Sequence, residues 1–107
     1  MTIPEMQKRC FSNAKTLGWT DKPVSVPEMI ALCHSELSEA LEAYRNGEQT
    51  SWTDANGKPE GIASEFADVL IRIGHYCELL GIDLEHEVDR KLIYNLTRKY
   101  RHGGKVC

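Results

Sequence analysis

The chain has 107 residues, enough for one domain around a single thin hydrophobic core, and a core that thin leaves helical surface for self-association. Hydrophobic residues make up 41% and charged residues 27%, an ordinary globular balance, and 13 basic against 16 acidic residues leave a net charge of −3, which removes the electrostatic case for a duplex nucleic acid partner. No apolar run is long enough for a membrane span and residues 1–11 lack the apolar stretch of a signal peptide, so a cytoplasmic location is expected.

The punctuation divides the chain into four helical segments. The first is expected over residues 4–17, where Met6, Cys10, Phe11, Ala14 and Leu17 recur at helical spacing and Gly18 follows. A loop through Trp19, Asp21 and Pro23 leads to Ser25-Val-Pro-Glu28, which reads as a capping box with proline in the first turn. Val26, Met29, Ile30, Cys33, Leu37, Ala40, Leu41 and Tyr44 then form one stripe, stopped by Asn46-Gly47. Residues 48–58 are polar, with a turn at Asn56-Gly57, and the third helix is expected to start near Pro59 or Glu60. Its stripe is Ile62, Phe66, Val69, Leu70, Ile73, Tyr76, Cys77 and Leu80, closed by Gly81.

Asp83 can cap a fourth helix striped by Leu84, Val88, Leu92, Leu96 and Tyr100 and ended by His102-Gly103-Gly104. No period-2 stretch signals a strand. The expected fold is therefore all-α, a four-helix antiparallel bundle-like protomer with helices three and four as a hairpin, completed by oligomerisation. Cysteines 10, 33, 77 and 107 lack metal-ligand spacing and read as reduced, structural thiols.

Two acidic pairs stand out. Glu36 and Glu39 lie on helix two, Glu65 and Asp68 on helix three, each spaced i, i+3 so that both carboxylates share a face. The spacing alone means little: 16 acids in 107 residues give roughly two such pairs by chance, and the chain has three, the last being 39/42. Position is more informative. Each of the four acids immediately precedes an apolar stripe residue, by the same offset on both helices, whereas Glu42 lies farther round and reads as a solvated charge.

If the two helices pack by their stripes, four carboxylates line one seam. At about 5 Å and an effective dielectric near 20, each like-charge pair costs about 3 kcal/mol. A hard cation such as Mg²⁺ removes that cost, and the seam has no histidine or cysteine to favour zinc. The same acids also fit an ordinary charged helix margin. On helix four, Lys91, Asn95, Arg98 and His102 fall on one face, suited to phosphate oxygens or to plain solvation. His34 and His75 read as ordinary, partly buried histidines; Trp19 and Trp52 read as loop anchors, with base stacking as the other use.

LCHSELSEALEAYR over residues 32–45 is similar to the first metal-binding motif of the MazG-like nucleotide pyrophosphohydrolases, an all-α superfamily. GIASEFADVLIR over 61–72 resembles their ExxD motif, KLIYNLTR over 91–98 their lysine-asparagine-arginine segment, and YRHGGK over 100–105 the tail of small members. The resemblance covers roughly residues 28–105 and lies in the order and spacing of the motifs more than in any one of them.

It implies that Glu36, Glu39, Glu65 and Asp68 hold Mg²⁺, with Mn²⁺ as a substitute, and that Lys91, Asn95 and Arg98 contact phosphates. It implies hydrolysis of an NTP or dNTP to the monophosphate and pyrophosphate by a metal-activated water, with Glu39 and Glu36 as the catalytic carboxylates and Glu39 as the base. It also implies a homodimer or homotetramer. The family's first motif often reads EExxE, and Ser35 stands at the leading position, which leaves open the metal count or the source of the base, Glu39 being the choice among the carboxylates. A phosphoribosyl-nucleotide substrate lies within the same superfamily. A non-catalytic helical interaction module also accounts for the amphipathic helices, though not for the matched placement of the acids.

Overall fold

The structure, a computed structural model, describes residues 1–98 and Tyr100. The expected helix stop at 102–104, the basic tail, His102 and Cys107 lie outside the described residues. Four helices form: α1 (Ile3–Thr16), α2 (Val26–Arg45), α3 (Ile62–Leu80) and α4 (Leu84–Leu96). The complete capping box is on α1. The Thr2 hydroxyl accepts from the Glu5 N–H at 3.2 Å, and the Glu5 carboxylate accepts from the Thr2 N–H at 3.5 Å. On α2 only half of the expected box forms, the Ser25 hydroxyl accepting from the Glu28 N–H. Asp83 caps α4 as its sequence predicts, and Gly81 takes the left-handed conformation (φ 71°) that ends α3.

Between α2 and α3 the chain is not plain loop. Trp52–Thr53 (β1) and Pro59–Glu60 (β2) pair antiparallel, Trp52 opposite Glu60. Two-residue strands carry no readable alternation, which is why no strand was expected. The turn is set by Asp54, whose side chain accepts from the N–H groups of Asn56 (2.8 Å) and Lys58 (3.0 Å).

Gly61 then delays helix three to Ile62, past the expected start at Pro59 or Glu60. It sits at φ 96°, and a Cβ there would stand 2.5 Å from the Thr50 carbonyl oxygen, so only glycine lets the chain cross its own loop this closely. The same carbonyl accepts from the Ala63 N–H at 3.0 Å and ties the first turn of α3 to the loop after α2.

α3 is the central helix, flanked by α1 and α2. Its approach to α1 is close because Gly74 faces Cys10; a Cβ at Gly74 would lie 3.2 Å from the Cys10 sulfur. The expected α3–α4 hairpin does not form, because the two helices do not pack side by side, and the principal contact of α4, a small one, is with α1. Gln7 fixes this departure. Its amide donates to the Ile82 carbonyl (2.9 Å) and accepts from the Leu84 N–H (3.1 Å), clamping the turn to α1. Three helices therefore pack and the fourth projects, so the protomer alone is not the expected four-helix bundle.

The consequence is apolar surface left bare. The core consists of Cys10, Ala14, Met29, Ala40, Ala43, Tyr76 and Cys77, mostly small residues, and α4 buries none of its residues. Leu92, Ile93 and Leu96 are 59%, 67% and 88% exposed. A compact chain of 12.1 kDa exposes about 6,000 Å², and this one exposes 8362 Å². Its radius of gyration is 16.5 Å, against about 13 Å for a compact domain of this length. Among the described residues no helix is long and apolar enough to cross a membrane.

Candidate metal centre

The α2–α3 contact positions the acids. The side of α2 turned to α3 runs through Met29, Glu36, Ala40 and Ala43, all buried, while Ile30, Leu37, Leu41 and Tyr44 of the expected stripe are exposed. Glu36 is therefore inside the packed face and not at its edge. On α3 one ladder of polar groups faces it at helical spacing: Glu65, Asp68, Arg72 and Tyr76.

Carboxylate oxygens of Glu36, Glu65 and Asp68 all lie within 4.8 Å of one another, with Glu36 buried and the other two half-buried. Glu39, one turn beyond Glu36, is exposed, and its carboxylate acts on both Glu36 and Glu65. The structure thus brings together three of the four expected ligands in one tight group and sets Glu39 beside it.

Arg72 was not anticipated, although its spacing of four from Asp68 and seven from Glu65 puts it on their face. Its Nε donates to Glu36 Oε1 at 2.8 Å, and a second guanidinium nitrogen donates to the Tyr76 hydroxyl at 3.2 Å. Burial pushes the Glu36 carboxyl up, but the hydrogen bond from Arg72, those to Glu39 and Glu65, and the guanidinium charge outweigh it and hold the group below its ordinary value.

Glu65 goes the other way. Burial, then hydrogen bonding to Glu39 and Glu36, then the charges of Glu39 and Asp68 push it up to about 7. Its Oε2 is buried with no hydrogen-bond partner. Burial and the charge of Glu36 also raise Asp68, with Arg72 and Lys58 opposing. One guanidinium against this many carboxyl groups leaves the seam short of positive charge, and burial together with that shortfall pushes the Glu65 carboxyl up. That oxygen-only donor set, with one orphaned buried oxygen, fits a hard divalent cation.

Ser35 is outside the group; its hydroxyl donates back to the Leu32 carbonyl at 2.7 Å. Lys91 and Asn95 lie on α4, whose main packing is on α1, whereas the helix stops at Leu96 with Thr97 as its cap, so Arg98 falls past its end and not on the expected common face; Lys91 sits 5.5 Å from the centroid of the Tyr94 ring. The cations whose charge acts on the raised acids are Arg72 and Lys58. Within one chain the acidic seam and the α4 cations are separate features.

The indole N–H of Trp52 donates to Glu48 at 3.0 Å and holds the loop, as an anchor does. His75 is more buried than expected. It stacks between Phe11 and Tyr76, and burial, then the charge of Arg72, lowers its pKa. Compared with family models, with curated proteins and with solved structures, the chain matches none.

Proposed function

We propose that the chain is a Mg²⁺-dependent nucleotide pyrophosphohydrolase that splits a nucleoside triphosphate into monophosphate and pyrophosphate. The observation that carries this reading is the convergence of Glu36, Glu65 and Asp68 within 4.8 Å, on the motifs that resemble the MazG-like family. Glu36, Glu65 and Asp68 would hold the cation. When bound, such a cation neutralises phosphate charge and makes water more acidic. Arg72 keeps Glu36 ionised and oriented through the 2.8 Å hydrogen bond. Glu39, exposed and outside the tight group, would accept the proton of the attacking water.

A homo-oligomer is part of the same proposal. The apolar residues left bare on α2 and α4, among them Ile30, Leu37, Leu41, Leu92 and Ile93, are what such an interface would cover. The α4 cations would then meet a seam only across an interface.

The test is release of pyrophosphate from a panel of nucleoside triphosphates, deoxynucleoside triphosphates and phosphoribosyl nucleotides, with and without Mg²⁺. Mg²⁺-dependent release from at least one supports the reading, and the substrate hit sets the class. A folded protein that releases none defeats it. The exposed apolar faces favour one second reading, a non-catalytic helical interaction module. In that case millimolar Mg²⁺ leaves the melting temperature unchanged, because nothing in the folded state binds it.

A further inference from the structure

We infer that Lys58, presented by the β1–β2 hairpin, is the cation of this chain that meets the phosphates of a pyrophosphate-bearing ligand at the Glu36–Glu65–Asp68 cluster. This rests on the reading above and adds a binding residue to it.

The argument starts from charge. Glu36, Glu39, Glu65 and Asp68 with one guanidinium and one divalent ion still sum to a negative site, and a polyphosphate is itself strongly anionic. A further cation is required beside the seam. Arg72 is not free to serve, since its Nε is held by Glu36 and a second nitrogen by Tyr76. Lys91 rides on α4, whose main packing is on α1, and Arg98 lies just past the end of that helix.

Lys58 remains. Its ammonium is 3.2 Å from Glu60, which lies next to Gly61 at the start of α3, and the side chain is 71% exposed. Glu65 is in the first turn of that helix. The Lys58 charge acts on both Glu65 and Asp68, which places it within electrostatic reach of the cluster. A compact, mobile ammonium on a long stem suits phosphate oxygens whose positions change between ligands.

The hairpin holds this residue chiefly by its main chain. The Lys58 N–H donates to the Asp54 carboxylate, and its carbonyl accepts from the Asp54 N–H at 3.0 Å. Gly61 lets the hairpin lie against the loop at Thr50 and so fixes it relative to α3. The side chain is engaged by an exposed pair with Glu60, a contact of little strength compared with the part-buried hydrogen bonds that hold Arg72, so the ammonium can turn to a ligand, and replacing it leaves the main-chain bonds of the hairpin in place.

The experiment is calorimetric titration of the full chain with Mg²⁺ alone, and with inorganic pyrophosphate at saturating Mg²⁺, for the wild type, Lys58→Met and Lys58→Arg. Lys58→Met is expected to weaken pyrophosphate at least tenfold and to leave Mg²⁺ binding unchanged or tighter, because a nearby positive charge is gone. Opposite signs for the two ligands are not produced by simple loss of structure. Lys58→Arg is expected to keep most of the pyrophosphate affinity, and the difference between wild type and Lys58→Met is expected to shrink as salt is added. A wild type that binds Mg²⁺ while pyrophosphate binds equally to Lys58→Met, or to neither protein, overturns the role of Lys58 and spares the metal centre. A wild type that binds neither ligand overturns both.

Discussion

Glu65→Gln is the most direct probe of the seam, because it removes a carboxyl that its surroundings hold at about 7 against an ordinary 4.5. One pKa unit corresponds to about 1.4 kcal/mol, so the unscreened strain is about 3 kcal/mol. The seam is open to solvent beside Glu39, and screening reduces that to about 1–2 kcal/mol.

The sign follows from proton binding. Between the ordinary value of 4.5 and about 7 the folded chain keeps a proton that the unfolded chain has lost. The strain is therefore absent below that window, grows through it, and is complete above it. Glutamine never ionises and escapes it. Metal-free Glu65→Gln should then melt about 5–10 °C above the wild type near pH 8, with the difference gone near pH 4.5. Millimolar Mg²⁺ should raise the wild type and leave the variant nearly unmoved. Thermal melts by circular dichroism across that pH range, in chelator and in Mg²⁺, read all of this. A variant no more stable than the wild type near pH 8 without metal refutes the crowding argument, and a gain that persists at pH 4.5 shows that ionisation is not its cause.

Arg72→Met removes the counter-charge of a buried carboxylate and should cost about 2 kcal/mol in urea denaturation, partly recovered by Mg²⁺; an unmoved midpoint refutes the pairing. Gly61→Ala forces a Cβ against the Thr50 carbonyl at positive φ. It should cost about 2 kcal/mol and speed hydrogen exchange at the Ala63 amide, whereas unchanged exchange there shows that the crossing relaxes freely. Leu92→Lys charges the bare face of α4 and should shift the sedimentation coefficient toward a single chain; a wild type that sediments as one chain at every concentration already refutes self-association.

Helix ends were readable where a local group decides them. Ser25, Asp83, Gly81 and the Asn46-Gly47 stop act through bonds or φ values within a few residues. The hairpin was not readable, because Gly61 is required there by the Thr50 carbonyl, which the intervening strands carry back against it. The acids were found through their matched offset, yet their difference in character was not. Glu36 lies inside the packed face with a guanidinium on one oxygen, whereas Glu65 has an orphaned oxygen and a carboxyl pushed up to about 7. That distinction comes from how α2 and α3 cross. The stripes misled in an instructive way. Leu37, Leu41, Phe66 and Leu92 were expected to be core and stand exposed, because periodicity marks where burial is favourable and not what supplies it. α4 is the sharpest case: its stripe is regular, yet its main packing, on α1, leaves every residue of the helix unburied.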